Sequence, residues 1–384
     1  MLIFSRSTTV SFPFICSMWV VFGIFIGAAV IQVLYYTIVF SRAAMGHERH
    51  YEPDSYPPVS IVICAKNEAE NLKKNLKVIL IQNYPVFEVI IVNDQSTDHT
   101  LDMLAEYFQR NDNLRLFNIK QEEKPIAGKK FALKTGVENA QYDIIVTTDA
   151  DCKPFSAHWL EHLVGSYLSD TDFVLGYAPF YKEPTFINKV ARYENVMTAM
   201  LYFSFARVGM PYMGVGRNMA FRKNAFMNWN NYEESKHLPS GDDDLLVNAL
   251  ASKKNTELCL NRDSFVYSAA KTNWGDWLHQ KTRHAGSGRY YRFHHLLLLT
   301  LFSLTHLLFY TTFIVLCIKA FILPVVLIGC ALTLFVKYWI TGKLNAKLQQ
   351  NDLNSWFFLL DPIYIISVFC IFILSLTSSN KAWK

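Results

Sequence analysis

The middle of the chain alternates short apolar runs with polar segments whose apolar residues recur at helical spacing. The predicted strands occupy residues 59–64, 88–94, 114–119 and 143–151. The predicted helices between them occupy residues 67–82, 100–110 and 131–140. Strands that alternate with helices indicate an α/β domain built on a mostly parallel sheet. Ligands are then expected at the carboxyl ends of the strands.

Four long apolar runs flank this region, at residues 14–40, 296–318, 320–336 and 356–376. A helix that crosses a bilayer needs about 20 apolar residues. The alternative for the first run is a cleaved signal peptide, but its apolar core would be only about 7 to 15 residues long. The alternative for the fourth run is a helix on the membrane surface. We expect four transmembrane helices.

The fourth run contains Asp361 and Pro362. An ionisable side chain at the centre of a membrane helix costs about 2.5 to 3.5 kcal/mol on insertion scales. We therefore expect Asp361 to lie near a membrane interface or to face the other helices.

These patterns divide the chain into three parts. Residues 1–41 contain the first transmembrane helix, residues 42–295 form the α/β domain, and residues 296–384 contain transmembrane helices 2 to 4. The α/β domain is predicted to end in an amphipathic interfacial helix at about 274–293. With four membrane crossings, both termini lie on one side of the membrane and residues 42–295 lie on the other.

Basic residues indicate which side of the membrane the α/β domain occupies. The α/β domain and a predicted polar loop near 341–355 lie on the same side, and they carry Arg42, Arg49, Lys343 and Lys347. An excess of Lys and Arg marks the cytoplasmic side, although Lys381 and Lys384 in the tail oppose this assignment. We therefore expect an integral inner (plasma) membrane protein whose α/β domain is cytoplasmic.

Composition agrees with a folded domain joined to membrane helices. Of 384 residues, 51% are hydrophobic and 18% are charged, which excludes a disordered or collagen-like chain. The net charge of +5 comes from the ends, because residues 42–295 carry 30 basic and 30 acidic residues. Nucleic acid is therefore not an expected partner. The seven scattered cysteines form no C-x-x-C pair and indicate free thiols, with neither zinc nor a disulfide framework.

Polar residues follow three of the predicted strands. Ala65 and Glu68 follow the first strand, Asp94 ends the second, and Asp149 and Asp151 end the strand at 143–151. Alternate side chains of a strand point the same way, so the last two carboxylates should converge. Carboxylates of this kind suit Mg²⁺ or Mn²⁺ bridging a diphosphate. The alternatives are a solvated acidic loop for this pair and a helix cap for Asp94.

The segment GKKFAL at 128–133 resembles part of a phosphate-binding loop, but Glu123 stands where that motif requires glycine. Lys129 or Lys130 is therefore better interpreted as a single charge for a phosphate, the alternative being an ordinary helix start. The predicted interfacial helix offers a second cation, Arg283, which could hold a departing diphosphate.

The segment SGDDDLL at 240–246 places three carboxylates in succession: Asp242, Asp243 and Asp244. Repulsion among close acids raises the pKa of at least one of them. Such a group can accept a proton from an attacking hydroxyl, which makes this cluster a candidate general base. The alternative is an acidic first turn of a helix, which the helix dipole favours.

Seven motifs occur here in a fixed order. They are VSIVICAKNEAENL, VNDQSTD, GKKFAL, TTDADC, GVGRNMAFRK, SGDDDLL and QKTRH. The chain thereby resembles the membrane-bound family 2 glycosyltransferases, the inverting class with the GT-A fold that includes cellulose, chitin and hyaluronan synthases and ceramide glucosyltransferase. The resemblance covers about residues 59–284.

The resemblance implies roles for the matched residues. The nucleotide-sugar ligands would be Ala65, Glu68, Asp94, Lys129, Asp149, Gln280 and Arg283. Asp149 and Asp151 would hold the metal, Mg²⁺ or Mn²⁺. Asp243 would be the general base, with Asp242 in place of the usual Glu before it and Asp244 still possible. Arg217, Asn218 and His284 would shape the acceptor side.

The implied activity is inverting transfer of a sugar from a UDP- or GDP-sugar to a lipid or glycan acceptor. Chain-building synthases usually carry Trp after Q-x-x-R, where this sequence has His284. That departure weakens the expectation of a processive polysaccharide synthase, which remains one alternative. The other alternative is a membrane subunit that binds a nucleotide without catalysing transfer.

Overall fold

An open sheet of seven strands organises the α/β domain, as the apolar runs predict. The computed structural model describes residues 12–46, 56–120, 129–167, 169–229, 241 and 243–377. Its strands are β1 (Val59–Ala65), β2 (Phe87–Asp94), β3 (Leu114–Ile119), β4 (Ile144–Asp149), β5 (Lys153–Pro154), β6 (Phe173–Leu175), β7 (Met219–Arg222), β8 (Thr256–Leu258) and β9 (Val266–Tyr267). The order in the main sheet is β3-β2-β1-β4-β7-β6-β8, and β5 pairs with β9 in a small separate sheet.

The helices fall into two groups, one around the sheet and one of long apolar helices. In chain order they are α1 (Phe12–Leu34), α2 (Ser41–Met45), α3 (Ala69–Leu80), α4 (Thr100–Phe108), α5 (Lys129–Glu138), α6 (Trp159–Val164), α7 (Phe186–Arg207), α8 (Lys223–Met227), α9 (Asp244–Leu250), α10 (Trp274–Ala285), α11 (Phe293–Ile318), α12 (Leu323–Lys347) and α13 (Phe357–Thr377). A π-helical turn, Tyr35–Phe40, joins α1 to α2.

The main sheet is mostly parallel. Strands β3, β2, β1 and β4 run parallel to one another, and β6 runs parallel to β8. Only β7 runs antiparallel, between β4 and β6. The carboxyl ends of β1, β2 and β4 therefore meet at one edge of the sheet, where the sequence predicts the ligand site.

Strands β1, β2 and β4 are buried on both faces, which explains their continuous apolar sequences. In β1, Ile61 and Ile63 pack in the core beneath α3, whereas Val62 and Cys64 pack in the core on the opposite face. The second core continues beyond the α/β domain, since it also contains buried side chains of the C-terminal helices, including Ile340 and Phe357. The sheet and the long apolar helices thus share one core.

Four helical segments are long and apolar enough to cross a membrane, in agreement with the predicted count. They are Cys16–Met45, Phe293–Ile318, Leu323–Lys347 and Asn351–Leu376, and we call them the bundle. Their outward faces expose large apolar side chains, such as Ile328, Leu332, Phe335, Phe358 and Ile373. These faces match a hydrocarbon environment.

Two predicted boundaries are wrong. The third run continues as a helix to Lys347, so the predicted polar connection near 341–355 is mostly helical, with a 3₁₀ segment at Asn351–Trp356. The predicted interfacial helix at 274–293 ends at Ala285 and is followed by a 3₁₀ turn, Ser287–Tyr290. The Gly286-Ser287-Gly288 sequence, poor in helix-forming residues, accounts for this break.

A buried polar cluster lies inside the bundle around Asp361, as expected for an acid that faces the other helices. His306 Nε2 and Tyr310 Oη of α11 lie 3.0 and 2.6 Å from Asp361 Oδ2, which also accepts from Lys337 Nζ of α12. Tyr193 of α7 donates to the other carboxylate oxygen at 3.1 Å. The side chains of His306, Lys337 and Asp361 are fully buried. The cluster therefore joins three helices of the bundle to the α/β domain.

Candidate active site

The loops after β1 and β2 are tied together at the carboxyl edge of the sheet. Asn67 and Gln95 adopt left-handed backbone conformations with φ of 56° and 58°. The Asn67 side chain accepts from the backbone NH of Thr97 at 2.8 Å, and its own NH donates to Ser96 Oγ at 2.9 Å. Non-glycine residues in this conformation are uncommon and cluster at binding sites.

Three predicted nucleotide-sugar ligands lie on or beside these loops. Ala65 is fully buried at the end of β1, so only its backbone can face a ligand. Asp94 is also fully buried, at the end of β2. Glu68 is half-buried before α3, where its carboxylate accepts from Asn71 Nδ2 at 2.6 Å. The sheet thus brings these three residues to the same edge.

The end of β4 carries the two candidate metal ligands. The strand stops at Asp149, so Asp151 lies in a turn and the two carboxylates converge through that turn rather than through strand alternation. One ligand atom from each of Asp149, Asp151 and Cys152 lies within 4.8 Å of the others. Carboxylate oxygens at this spacing fit a hard divalent cation such as Mg²⁺ or Mn²⁺.

Cys152 is a member of this cluster that the sequence analysis treated only as a small buried thiol. Its Sγ donates to Asp151 Oδ1 at 3.5 Å, and burial together with the two carboxylates raises the pKa of the thiol well above its ordinary value. It is a free thiol, like the other six cysteines, as predicted. The protonated thiol is therefore a hydrogen-bond donor to Asp151.

Cations surround Asp149. Lys129, at the start of α5, donates directly to its Oδ1. Burial raises the pKa of Asp149, but Lys129, followed by Arg217 and His284, holds it below its ordinary value. Arg283 also interacts with this carboxylate. Desolvation lowers the pKa of its guanidinium, and the negative charge of Asp149 partly opposes that shift. Residues predicted for the donor side and for the acceptor side thus converge from α5, β4, α10 and the loop before β7.

The loop before β7 connects these cations to the acidic segment. Arg217 Nη1 donates to Ser268 Oγ at 2.6 Å, and its guanidinium lies 4.7 Å from the centre of the Phe180 ring. The backbone NH of Gly216 donates to Asp243 Oδ2 at 2.5 Å. A Cβ on Gly216 would lie 3.0 Å from the same oxygen, so this close approach favours glycine. Asp243 is therefore held against the backbone of Gly216, the residue that precedes Arg217.

Asn218 occupies a different environment from Arg217. It is fully buried and donates to the carbonyls of Tyr177 and Ser264, both at 2.8 Å, while Trp159 Nε1 donates to its Oδ1 at 2.9 Å. These bonds hold the loop against the sheet. In this structure Asn218 supports the loop, and Arg217 is the member of the predicted acceptor pair that faces the site.

The acidic segment contains two environments that the sequence could not distinguish. Asp243 is partly exposed before α9. Asp244 is buried and accepts from Ser287 Oγ, Tyr291 Oη and the NH of Leu245 at 2.6, 2.7 and 2.9 Å. Because its oxygens are already engaged, Asp244 is poorly placed to act on a substrate. Asp242 lies outside the described residues.

Helix α10 carries the remaining predicted residues. Asn273 caps its start by accepting from the NH of Asp276 at 2.9 Å, which favours helix formation. Gln280 and Arg283 are partly buried, and His284 is exposed at the end of the helix.

The buried carboxyl of Asp244 should make the free energy of unfolding depend on pH. Burial and the Asp243 carboxylate raise the pKa of Asp244 from 3.8 to about 6, although hydrogen bonds from Ser287 and Tyr291 oppose the shift. The folded state holds this proton more tightly than the unfolded state, so the stabilisation is complete below pH 4 and is lost as pH rises to about 6. Between pH 4.5 and 7.5 the loss amounts to about 2 kcal/mol.

We expect Asp244→Asn to remove this dependence. Thermal unfolding of the purified protein in detergent at several pH values measures it, with the exposed Asp112→Asn as a control that keeps the wild-type profile. An unchanged profile in Asp244→Asn would contradict the assignment.

Comparisons with known proteins agree with this fold. Residues 60–229 match the family model described as Glycosyl transferase family 2. Among solved structures, the mannosyltransferase PcManGT from Pyrobaculum calidifontis, in complex with GDP-Man and Mn²⁺, superposes with a TM-score of 0.57 at 19% identity. The match covers 87% of this chain and 98% of that protein, and it shows a common fold.

Two curated relatives match part of the chain. Glycosyltransferase AglE of Haloferax volcanii is 33% identical over 196 residues, which are 49% of this chain and 59% of AglE. Poly-beta-1,6-N-acetyl-D-glucosamine synthase of Staphylococcus epidermidis is 27% identical over 126 residues, 32% of this chain and 29% of the synthase. The aligned regions thus span from under a third to about three fifths of these relatives.

The sheet topology and the superposition show a GT-A-like fold. Residues 60–229 match glycosyltransferase family 2, as the motif order predicts, and this match, together with relatives named glycosyltransferases, supports a transferase.

Proposed function

We propose that the protein transfers one sugar from a nucleotide-sugar donor to a lipid or glycan acceptor at the membrane, with inversion at the anomeric carbon. One observation carries the proposal: three cations, Lys129, Arg217 and Arg283, act on Asp149, whose carboxylate lies beside that of Asp151. This surplus of positive charge at the carboxyl edge of a parallel sheet suits a bound diphosphate. The mannosyltransferase of similar fold is in complex with GDP-Man.

Asp149 and Asp151 would hold a divalent metal ion, Mg²⁺ or Mn²⁺. When bound, such an ion neutralises charge on the diphosphate of the donor. The ligand spacing of this cluster fits that role. The similar mannosyltransferase is in complex with Mn²⁺. Lys129 and Arg283 would add charge-assisted hydrogen bonds to the departing diphosphate.

Asp243 would act as the general base. It is partly exposed, and the Gly216 NH orients one of its oxygens. Removal of the acceptor proton by this carboxylate generates the nucleophile that attacks the anomeric carbon as the bond to the diphosphate breaks. Asp94, Glu68 and the backbone at Ala65 would hold the nucleoside, and His284 would face the acceptor.

Transfer of radiolabelled sugar tests this function. The protein, purified in detergent or reconstituted in lipid, is incubated with UDP-glucose, UDP-N-acetylglucosamine or GDP-mannose, Mn²⁺ and a membrane lipid extract. We expect release of nucleoside diphosphate and a product one sugar heavier than its acceptor. Products that carry many sugars would favour a processive synthase. Binding of UDP or GDP without release from any donor would favour a non-catalytic nucleotide-binding subunit.

Asp151→Asn tests the metal site separately from turnover. Calorimetry with UDP and GDP measures affinity with Mn²⁺ and again with EDTA. We expect the variant to bind about tenfold to a hundredfold more weakly with Mn²⁺, the range seen when metal-site interactions are removed. Affinity in EDTA should stay unchanged. The exposed Glu106→Gln is the control, and equal Mn²⁺ dependence in Asp151→Asn would contradict the site.

A further inference from the structure

Three consecutive residues of α7 contact three different parts of the molecule. Arg192 contacts the segment between α12 and α13, Tyr193 contacts α13, and Glu194 contacts α10. Successive side chains on a helix project about 100° apart, so one turn can reach three partners. Helix α7 is therefore in direct contact with both the bundle and the helix that carries Gln280, Arg283 and His284.

The contacts on the bundle side are extensive and buried. Arg192, only 2% exposed, donates through Nη1 and Nη2 to the two carboxylate oxygens of Asp352 at 2.9 and 2.7 Å, and through Nε and Nη2 to Gln350 Oε1 at 2.9 and 2.6 Å. Paired bonds of this kind restrict both distance and orientation. Tyr193 adds its bond to Asp361 within the buried cluster. The position of α7 relative to the bundle is thus fixed.

The contacts of α7 with α10 include an aromatic contact between Phe186 and Trp274, with ring centres 6.4 Å apart, and one ion pair. Lys281 of α10 pairs with Glu194, and the two side chains are 15% and 14% exposed. Glu194 is itself oriented by Thr198, whose Oγ1 donates to Oε1 at 3.1 Å. Helix α10 also packs directly against α13, with Trp277 as its one buried residue. The ion pair adds a second link, which joins α10 to α7.

We propose that Glu194 and Lys281 are positioning residues that hold α10 so that Arg283 and Gln280 meet the leaving diphosphate. Lys281 lies between these two residues in the sequence, so a shift of Lys281 moves both. The proposal rests on the proposed function. It adds that α7, which is bonded to the bundle, contributes to the geometry of the donor site.

Charge balance supports a positioning role for Lys281 rather than direct donor binding. Its charge is matched by Glu194, whereas Lys129, Arg217 and Arg283 act on Asp149. Arg283 would act mainly on charge that develops as the diphosphate leaves. A misplaced Arg283 should therefore lower kcat more than it raises KM for the donor.

A double-mutant cycle tests the proposal. We expect Glu194→Gln and Lys281→Met each to lower kcat about tenfold, with KM for the donor changed less than threefold. The double variant should lose about tenfold rather than a hundredfold, because two residues that act as a pair are not additive. Lys281→Arg, which keeps the charge, should retain most of the activity. The matched control is Glu138→Gln in the exposed pair with Lys134 on α5, expected to leave kcat unchanged.

The outcomes separate the two proposals. Wild-type kcat in both single variants, or additive losses in the double variant, would overturn the positioning role while leaving the transferase function intact. Tighter binding of UDP or GDP by Glu194→Gln would also overturn it, because a released Lys281 would then be a donor ligand. A fall in melting temperature that accounts for the lost activity, with no rescue by Lys281→Arg, would show a purely structural role. No transfer by the wild type would instead reject the proposed function.

Discussion

Asp243→Asn is expected to lower kcat by about 10² to 10⁴, the range that general acid-base catalysis contributes. Asn has nearly the same shape as Asp and can still accept from the Gly216 NH, so the loop around Arg217 should keep its position. Asn cannot, however, take the proton of the acceptor hydroxyl. Steady-state rates with saturating donor measure the loss, and calorimetry with UDP or GDP and Mn²⁺ should show affinity within about twofold of wild type.

The neighbouring acids provide the controls for this prediction. Asp244 is buried and bonded to Ser287 and Tyr291, so Asp244→Asn should retain far more activity than Asp243→Asn. Asp242→Asn tests the remaining member of the triplet. Full turnover in Asp243→Asn, or a larger loss in either neighbour, would assign the base to another carboxylate.

Lys337→Met is expected to destabilise the folded protein by about 3 to 5 kcal/mol, the cost of leaving one charge of a buried pair uncompensated. Lys337 and Asp361 are fully buried in the bundle, and the variant leaves the carboxylate with only His306 and two tyrosines as partners. Thermal unfolding in detergent measures the effect. The exposed Lys343→Met on the same helix is the control and should unfold like wild type.

A second substitution distinguishes lost charge from lost packing. In Lys337→Met with Asp361→Asn, no unpaired carboxylate remains, and the single Asn oxygen can still accept from one of the two tyrosines, Tyr193 or Tyr310, which bond to different carboxylate oxygens. We expect this double variant to recover at least half of the lost stability. If Lys337→Met alone unfolds like wild type, the pair does not stabilise the fold.

The sequence predicted the strands well because β1, β2 and β4 are buried on both faces, whereas the edge strand β3 is only partly buried. The four predicted strands agree with β1 to β4 to within a residue or two, since the sheet faces require continuous apolar runs. Predicted helix ends were less accurate, as in α10, where the Gly286 turn stops a pattern that remains amphipathic to Phe293. Periodicity predicts a helical face but not where the backbone leaves the helix.

Long-range contacts were beyond sequence reasoning. Asp149 and Lys129 lie on neighbouring elements, and their proximity was expected from the motif order. In contrast, nothing in the sequence distinguishes the environment of Asp243 from that of Asp244. Their difference depends on Ser287 and Tyr291, more than 40 residues away. Helix α7 was not predicted to connect the two halves either, because Arg192 and Glu194 find their partners 160 and 87 positions along the chain.

The core that the sheet shares with the bundle bears on how the enzyme can be handled. A cut between the α/β domain and α11 would pass through a packed interior, not a linker, and would strip Phe357 and Ile340 from the hydrophobic side of the sheet. A soluble fragment made in this way would expose a large apolar surface to water. The folded enzyme therefore requires lipid, or a detergent in its place, to cover the apolar faces of the bundle.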